Sequence, residues 1–200
     1  MSSIPVSLGK AMFLAAMLSL LAGCGINTIP TMDEQVKAAW SQVENQYQRR
    51  ADLVPNLVET VKGYAAQERE TLTAVVEARA RVGSMQVDES VIDDPQKLQQ
   101  FEQAQAQLGS ALQRLLVVVE RYPDLKSNQN FLALQSQLEG TENRIAVARR
   151  DYIQAVERYN TEIRTFPGRI WHSILYSDLQ IRDVYKATSE GAEKAPEVKF

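Results

Sequence analysis

The stretch from Arg49 to Ala65, RRADLVPNLVETVKGYA, places a proline within the longest helical pattern of the chain. Pro55 has no N–H, and its ring crowds the carbonyl oxygen four residues earlier, at Ala51. The apolar spacing nevertheless continues on both sides, through Val43, Tyr47, Val54, Leu57, Val61 and Ala65. The pattern therefore predicts a long helix that is kinked at Pro55 and supported by packing against its neighbours.

This first helix is predicted to run from about Met32 to Val82, with Thr31 as its N-cap. Asp33 and Glu34 would then lie near the positive end of the helix dipole. A helix of about 50 residues would form a rod of about 75 Å. Because this length is far above the average of about 11–12 residues, we expect neighbouring helices to support the helix along its length.

Two further long helices follow in the pattern. The second runs from about Pro95 to Tyr122 and carries a heptad seam of Leu98, Phe101, Gln105, Leu108, Leu112, Leu115, Val119 and Tyr122. The third runs from about Asn128 to Thr165, and an interval of seven separates Leu138, Ile145, Tyr152, Tyr159 and Phe166. Such a period predicts nearly aligned packing.

Shorter apolar segments between Ile170 and Tyr185 complete the predicted fold. They read as one or two closing helices that either cap the bundle or lie along the first helix. No strand-like alternation of any length occurs in the sequence. The fold class is therefore all-α, an antiparallel elongated bundle of three long helices plus a shorter C-terminal helix.

Composition and motifs give no support for an enzyme. The chain has 200 residues, a formal net charge of −3, one cysteine (Cys24) and one histidine (His172). The charge offers no basis for nucleic-acid binding, and these counts exclude a cysteine zinc site and any two-histidine site. We find no P-loop and no GxGxxG, and Glu68 and Glu70 diverge on a helix. We predict no catalytic residue, cofactor or metal.

The N-terminal segment is predicted to direct the chain to a membrane. An apolar run of 13 residues, Ala11–Gly23, has the length of a signal-peptide core and is short of the roughly 20 residues that span a bilayer. It ends in Leu-Ala-Gly-Cys24, which resembles the lipobox of bacterial lipoproteins. The predicted organisation is a signal peptide (1–23), a lipidated cysteine and tether (24–31), the bundle (32–186) and a flexible tail (187–200).

An uncleaved, single-pass signal anchor remains the alternative to a lipid anchor, and both tether the domain to a membrane. If the cell has two membranes, Gly25 after the cysteine favours the outer one, because it is not the aspartate that usually marks inner-membrane retention. The predicted location is therefore the cell envelope.

Residues 39–80 resemble the defining block of the LemA family. The matching positions are Trp40, Arg49, Arg50, Asp52 to Val58, Lys62 to Tyr64, Glu68, Glu70, Ala78 and Arg79. The likeness continues through Arg149, Asp151-Tyr152, Tyr159-Asn160 and Phe166-Pro167. It implies a membrane-tethered helical bundle of unsettled biochemical role, with no catalytic residues to transfer.

A polar cluster surrounds the proline, and it is the candidate site. Arg49, Arg50, Asp52 and Asn56 lie within two helical turns of Pro55. Arg49 could face Asp52, and Asp52 could face Asn56. An arginine or the Asn56 amide could satisfy the carbonyl that Pro55 leaves free. The cluster is either a docking site or a set of contacts that stabilises the kink and fixes the register of the bundle.

Two functional hypotheses follow from these observations. The first is a non-enzymatic, membrane-anchored envelope protein that docks an unidentified envelope protein through the kink region or an exposed groove. The alternative is a self-associating structural scaffold, in which the heptad seams of the second and third helices extend between chains. The sequence leaves the oligomeric state open.

Overall fold

A computed structural model of the chain describes residues 25–85, 88 and 90–184, and every regular element within them is helical. In chain order the helices are α1 (Thr28–Lys62), α2 (Arg69–Ser84), α3 (Ser90–Asp93), α4 (Pro95–Val119), α5 (Pro123–Lys126), α6 (Gln129–Glu162) and α7 (Gly168–Leu175). The predicted all-α helical bundle is confirmed. The predicted signal segment with Cys24, and the predicted tail, lie outside the described residues.

The first helix is shorter than predicted. α1 passes through Pro55 but ends at Lys62, and α2 runs back along α1 after a turn at residues 63–68. The prediction of a single helix as far as Val82 is therefore wrong. Folding back buries the apolar stripe of α2, at Leu72, Val75, Ala78 and Val82, which one continuous rod would have carried away from the bundle.

The beginning of α1 also differs from the prediction. The helix starts at Thr28, its N-cap is Asn27, and Thr31 lies inside the first turn. The predicted tether of residues 24–31 is correspondingly shorter, because its last four residues are helical. Ile29, the second residue of the helix, is fully buried, and its burial in the core holds the first turn against the rest of the bundle.

Four helices, α1, α2, α4 and α6, alternate in direction around one core. α1 packs along its length against α6, and α2 packs mainly against α4. Apolar side chains form two adjoining clusters, one around α2 and one around Trp40, Phe101 and Tyr152. Trp40 meets the other two rings edge-on, with centroids 5.3 and 5.5 Å away.

The starts of α4 and α6 agree closely with the predicted ones, whereas each helix ends three residues before its predicted end, at Val119 and Glu162. Asp94 caps α4 by accepting hydrogen bonds from the backbone N–H groups of Gln96 (2.8 Å) and Lys97 (3.3 Å), and Pro95 occupies the first turn. Asn128 caps α6 by accepting the N–H of Phe131 at 3.0 Å. These local signals were readable from the sequence because they act within four residues.

The chain closes at the end of the bundle where α1 begins. α7 contacts α1, and residues 176–184 then continue without regular structure across α1 and α6. We call residues 176–184 the strap. The predicted closing helices are thus one helix and the strap. Among the described residues, no helix combines the length and the apolar character that crossing a membrane requires.

Candidate functional site

The structure divides the predicted cluster around Pro55 into a surface part and a buried part. Arg49, Asp52, Pro55 and Asn56 are exposed, whereas Arg50 is buried on another face of α1. The carboxylate of Asp52 accepts a hydrogen bond of 2.8 Å from the amide of Gln48, one helical turn earlier. The five residues therefore do not form one continuous polar site.

The carbonyl that Pro55 leaves free has a partner from a different helix. Arg79 of α2 donates its Nε–H to the carbonyl oxygen of Ala51 at 3.1 Å, in place of the N–H that Pro55 lacks. A nearby arginine or the Asn56 amide was expected in this role, and the donor is instead an arginine of another helix. Arg79 was missed because α2 was predicted to continue α1 instead of folding back.

Arg50 joins three helices in the interior. Its Nη1 donates to the carboxylate of Glu142 on α6 at 2.9 Å, and its Nη2 donates to the backbone carbonyl of Gln105 on α4 at 3.0 Å. Its guanidinium lies 5.0 Å from the ring centroid of Tyr47, whose pKa is raised by burial. Gln105, the one polar entry in the α4 seam, is buried here with Arg50. This geometry favours the register-fixing interpretation for Arg50.

A shallow groove runs between α1 and α6 on the outside of the bundle. We call it the α1–α6 groove. It is lined by Ala39, Gln42, Gln46, Asn143, Arg144, Val147, Ala148 and Asp151. The groove has a volume of about 360 Å³, and its apolar floor includes the half-exposed Val147. Gln42, Gln46 and Arg49 follow helical spacing along α1, so the groove leads towards the exposed part of the predicted cluster.

A second buried arginine, Arg182 of the strap, was not identified from the sequence. Its guanidinium contacts Asp33 of α1 at 2.8 Å and Asp93 of α3 at 3.1 Å. Asp33 is buried as well, and it also contacts Lys37 at 3.1 Å. The carboxylate of Asp33, expected to serve the helix dipole, instead neutralises a buried cation from the C-terminal region.

Two side chains of α6 hold the strap by hydrogen bonds to its backbone. Asn160 donates to the carbonyl oxygen of Arg182 at 2.8 Å and accepts the backbone N–H of the same residue at 3.0 Å. The hydroxyl of Tyr159 donates to the carbonyl oxygen of Gln180 at 3.0 Å. The Tyr159-Asn160 pair, noticed in the sequence only as part of a resemblance, therefore positions the strap.

Burial governs the titration of the tyrosines beneath the strap. Desolvation raises the pKa of Tyr152 well above its ordinary value, against an opposing effect of Arg182. Burial also raises the pKa of Tyr159. Both hydroxyls therefore stay protonated and act as hydrogen-bond donors. Within residues 25–85, 88 and 90–184, no three His, Cys, Asp or Glu side chains are grouped so that they could hold a metal.

Comparison with families of known proteins gives a match that covers most of the bundle. The family model described as the LemA family matches residues 39–200. The chain belongs to the LemA family. That span includes Arg79, Asn160 and Arg182, whose contacts hold α2 and the strap in place. Family membership supports a membrane-associated helical protein.

Several curated proteins are similar over most of the bundle. Magnetosome protein MamQ 1 of Paramagnetospirillum magneticum is 31% identical over 157 residues, which cover 70% of this chain and 58% of that protein. Protein LemA of Metamycoplasma hominis is 23% identical over 158 residues, which cover 79% of this chain and 66% of that protein. The similarity to the MamQ protein thus spans little more than half of its length.

Proposed function

We propose that this LemA-family chain is a non-enzymatic, membrane-anchored docking protein of the cell envelope. In this proposal Cys24 carries the lipid anchor, and an amphipathic helix of an envelope protein occupies the α1–α6 groove. Self-association of the bundle into a structural scaffold at the membrane surface is the second candidate. Arg50 joins α1 to α4 and α6, and Arg182 joins the strap to α1 and α3, which is a structural use of both buried charges.

The position of Gly25 supports the anchoring part of the proposal. Gly25 directly follows Cys24 and packs at the end of the bundle, where a Cβ placed on it would lie 3.8 Å from the Trp171 indole nitrogen. The same Cβ would lie 3.9 Å from Pro167. An anchor at Cys24 would therefore hold this end of the bundle directly at the membrane surface.

The shape of the α1–α6 groove supports the docking part. An apolar floor between two side-by-side helices accepts the apolar face of a third helix, the mode that amphipathic helices use in grooves. Arg144 and Asp151 border the floor and offer one charge of each sign. This pair would select the register and direction of an incoming helix, because reversed charges would repel.

Site-specific photocrosslinking in the native envelope tests the docking surface. We would place benzoylphenylalanine at Gln42, inside the groove, and at Gln113 on the exposed face of α4 as the matched control. We expect one reproducible adduct with an envelope protein from position 42 and none from position 113. Adducts between two copies of the chain would support the scaffold instead, and equal labelling from both positions would reject the groove.

Replacing the cysteine tests the anchor independently of any partner. For Cys24→Ser we expect loss of membrane partitioning and a change in gel mobility, because thioether-linked acyl chains can no longer be added. An unchanged variant would contradict lipidation and favour the single-pass signal anchor. Either result leaves the crosslinking experiment informative, since that experiment reads contact and not the type of anchor.

A further inference from the structure

Several large apolar side chains are exposed at the end of the bundle that carries α7. Phe166 is 82% exposed, Ile170 45%, Ile174 66% and Leu175 49%. We call these four residues the α7 apolar face. Ile170 and Ile174 are one helical turn apart, so their side chains project on the same side of α7. Four exposed apolar side chains of this size within ten residues are typical of a contact surface.

The attachment point of the chain lies beside this face. Gly25 packs near Trp171 and Pro167, which belong to the same segment as the α7 apolar face. The 24 residues before Gly25 include the apolar run Ala11–Gly23 and the predicted lipidated Cys24. A membrane anchor of either predicted type therefore leaves the chain next to α7, and brings the bilayer surface to this end of the bundle.

The charges around α7 suit a lipid headgroup region. Arg164 and Arg169 are both exposed and flank the turn into α7. Cationic side chains beside exposed Ile, Leu and Phe are the combination found on helices that lie in the membrane interface. Anionic headgroups attract such arginines, and the apolar side chains enter the boundary of the acyl chains.

We propose that the α7 apolar face inserts into the bilayer interface beside the anchor and forms a second membrane contact. This inference rests on the anchoring part of the proposed function and not on the docking part. A single anchor leaves a rigid bundle free to tilt and rotate on its attachment point. The second contact fixes the orientation of the bundle, and with it the direction that the α1–α6 groove faces.

Fluorescence quenching in reconstituted membranes tests the second contact. The full chain, purified from membranes, is reconstituted into vesicles of phosphatidylethanolamine and phosphatidylglycerol with or without brominated acyl chains. Trp171 is half-buried next to the proposed contact, whereas Trp40 lies in the core, so Trp171→Phe gives the background from Trp40. We expect brominated lipid to quench the wild-type chain, and this quenching to disappear in Trp171→Phe.

Two surface variants then test the residues. Ile170→Ser combined with Ile174→Ser should abolish the quenching of Trp171 while the chain still floats with the vesicles. Val117→Ser is the matched control, because Val117 is 71% exposed near the far end of α4 and should leave the quenching unchanged. Helical circular dichroism confirms that each variant is folded.

Each outcome bears on one proposal. A wild-type chain that floats with vesicles but shows no Trp171 quenching would overturn the second contact and leave the α7 apolar face to a protein partner. Quenching that survives in the double serine variant would also overturn it. A wild-type chain that does not float would instead contradict the anchoring part of the proposed function.

Discussion

At the scale of single residues, Pro55 and Arg79 show how a helix accommodates a proline. The sequence identified the Ala51 carbonyl as the group left without its usual donor. It did not identify Arg79 as the new donor, because that contact exists only when α2 folds back onto α1. The local consequence of a proline is thus predictable, whereas its compensation depends on a tertiary contact 28 residues away.

A double-mutant cycle tests this compensation. We expect Arg79→Met to lower the free energy of unfolding by about 1 kcal/mol, because it removes the donor of a partly buried carbonyl. In a Pro55→Ala background the restored N–H serves Ala51, so the same change should cost much less. Urea unfolding of the four proteins measures the coupling. Equal costs in both backgrounds would show that Arg79 does not serve this carbonyl.

The buried tyrosines predict a fall in stability at alkaline pH. The pKa of Tyr152 is raised in the folded chain, so above about pH 10 the unfolded chain releases this proton while the folded chain keeps it. The stabilising contribution is complete below that pH, and stability then falls by about 1.4 kcal/mol per pH unit for this group.

The measurement is the free energy of unfolding between neutral pH and pH values above the ordinary tyrosine pKa. Tyr152→Phe should make the alkaline slope shallower by the contribution of one proton. Val117→Ser, at an exposed residue without a titratable group, is the matched control and should keep the wild-type slope. Identical slopes in Tyr152→Phe and wild type would contradict the prediction.

At the scale of helices, signals that act locally were predictable and the break between α1 and α2 was not. The caps Asp94 and Asn128 fix the starts of α4 and α6 through side chains that bond within three residues. The α1–α2 turn at residues 63–68 carries no proline, and buried positions continue in helical spacing on both sides of it. A periodic pattern cannot distinguish one long helix from two that bury the same stripe.

The turn into α7 depends on a glycine at position 168. A Cβ on Gly168 would lie 2.2 Å from the carbonyl oxygen of Glu162, a distance that the backbone cannot accept without moving. We expect Gly168→Ala to lower the free energy of unfolding by about 1–3 kcal/mol, the usual cost of overpacking. The α7 apolar face should then move from its position, because the backbone of the turn has to shift.

Gly83→Ala is the matched control for this substitution. A Cβ on Gly83 would meet nothing within 4 Å, and the residue lies within α2. Alanine there should be neutral or stabilise the chain by up to about 1 kcal/mol. Thermal unfolding of both variants checks the contrast, and equal melting temperatures would show that the turn adapts to a side chain.

At the scale of the whole molecule, the decisive contacts join residues far apart in sequence. Arg182 and Asp33 are 149 positions apart, and no local pattern marks either as half of a buried pair. The same is true of Arg50, whose partners lie on α4 and α6. The candidate cluster at Pro55 was therefore predicted from helical spacing within one segment, and the fold separates its buried member from its exposed ones.

Removing the buried charge tests how strongly the strap is held. We expect Arg182→Met to lower the free energy of unfolding by about 3 kcal/mol, the low end for breaking a buried pair, because Asp33 keeps Lys37. Lys126→Met, which breaks the exposed pair with Glu120, should cost under about 1 kcal/mol. Urea unfolding measures both, and similar costs would mean that solvent reaches Arg182.

The length of α1 sets the distance between the end of the bundle at Gly25 and the turn at Gly63. The helix begins three residues after Gly25 and extends 35 residues, or about 52 Å, to the turn at Gly63. With the proposed anchor beside Gly25, a bundle standing upright on the membrane would hold that turn at a height set by the length of α1. Under that proposal, adding or deleting two helical turns in register would raise or lower the turn by about 11 Å.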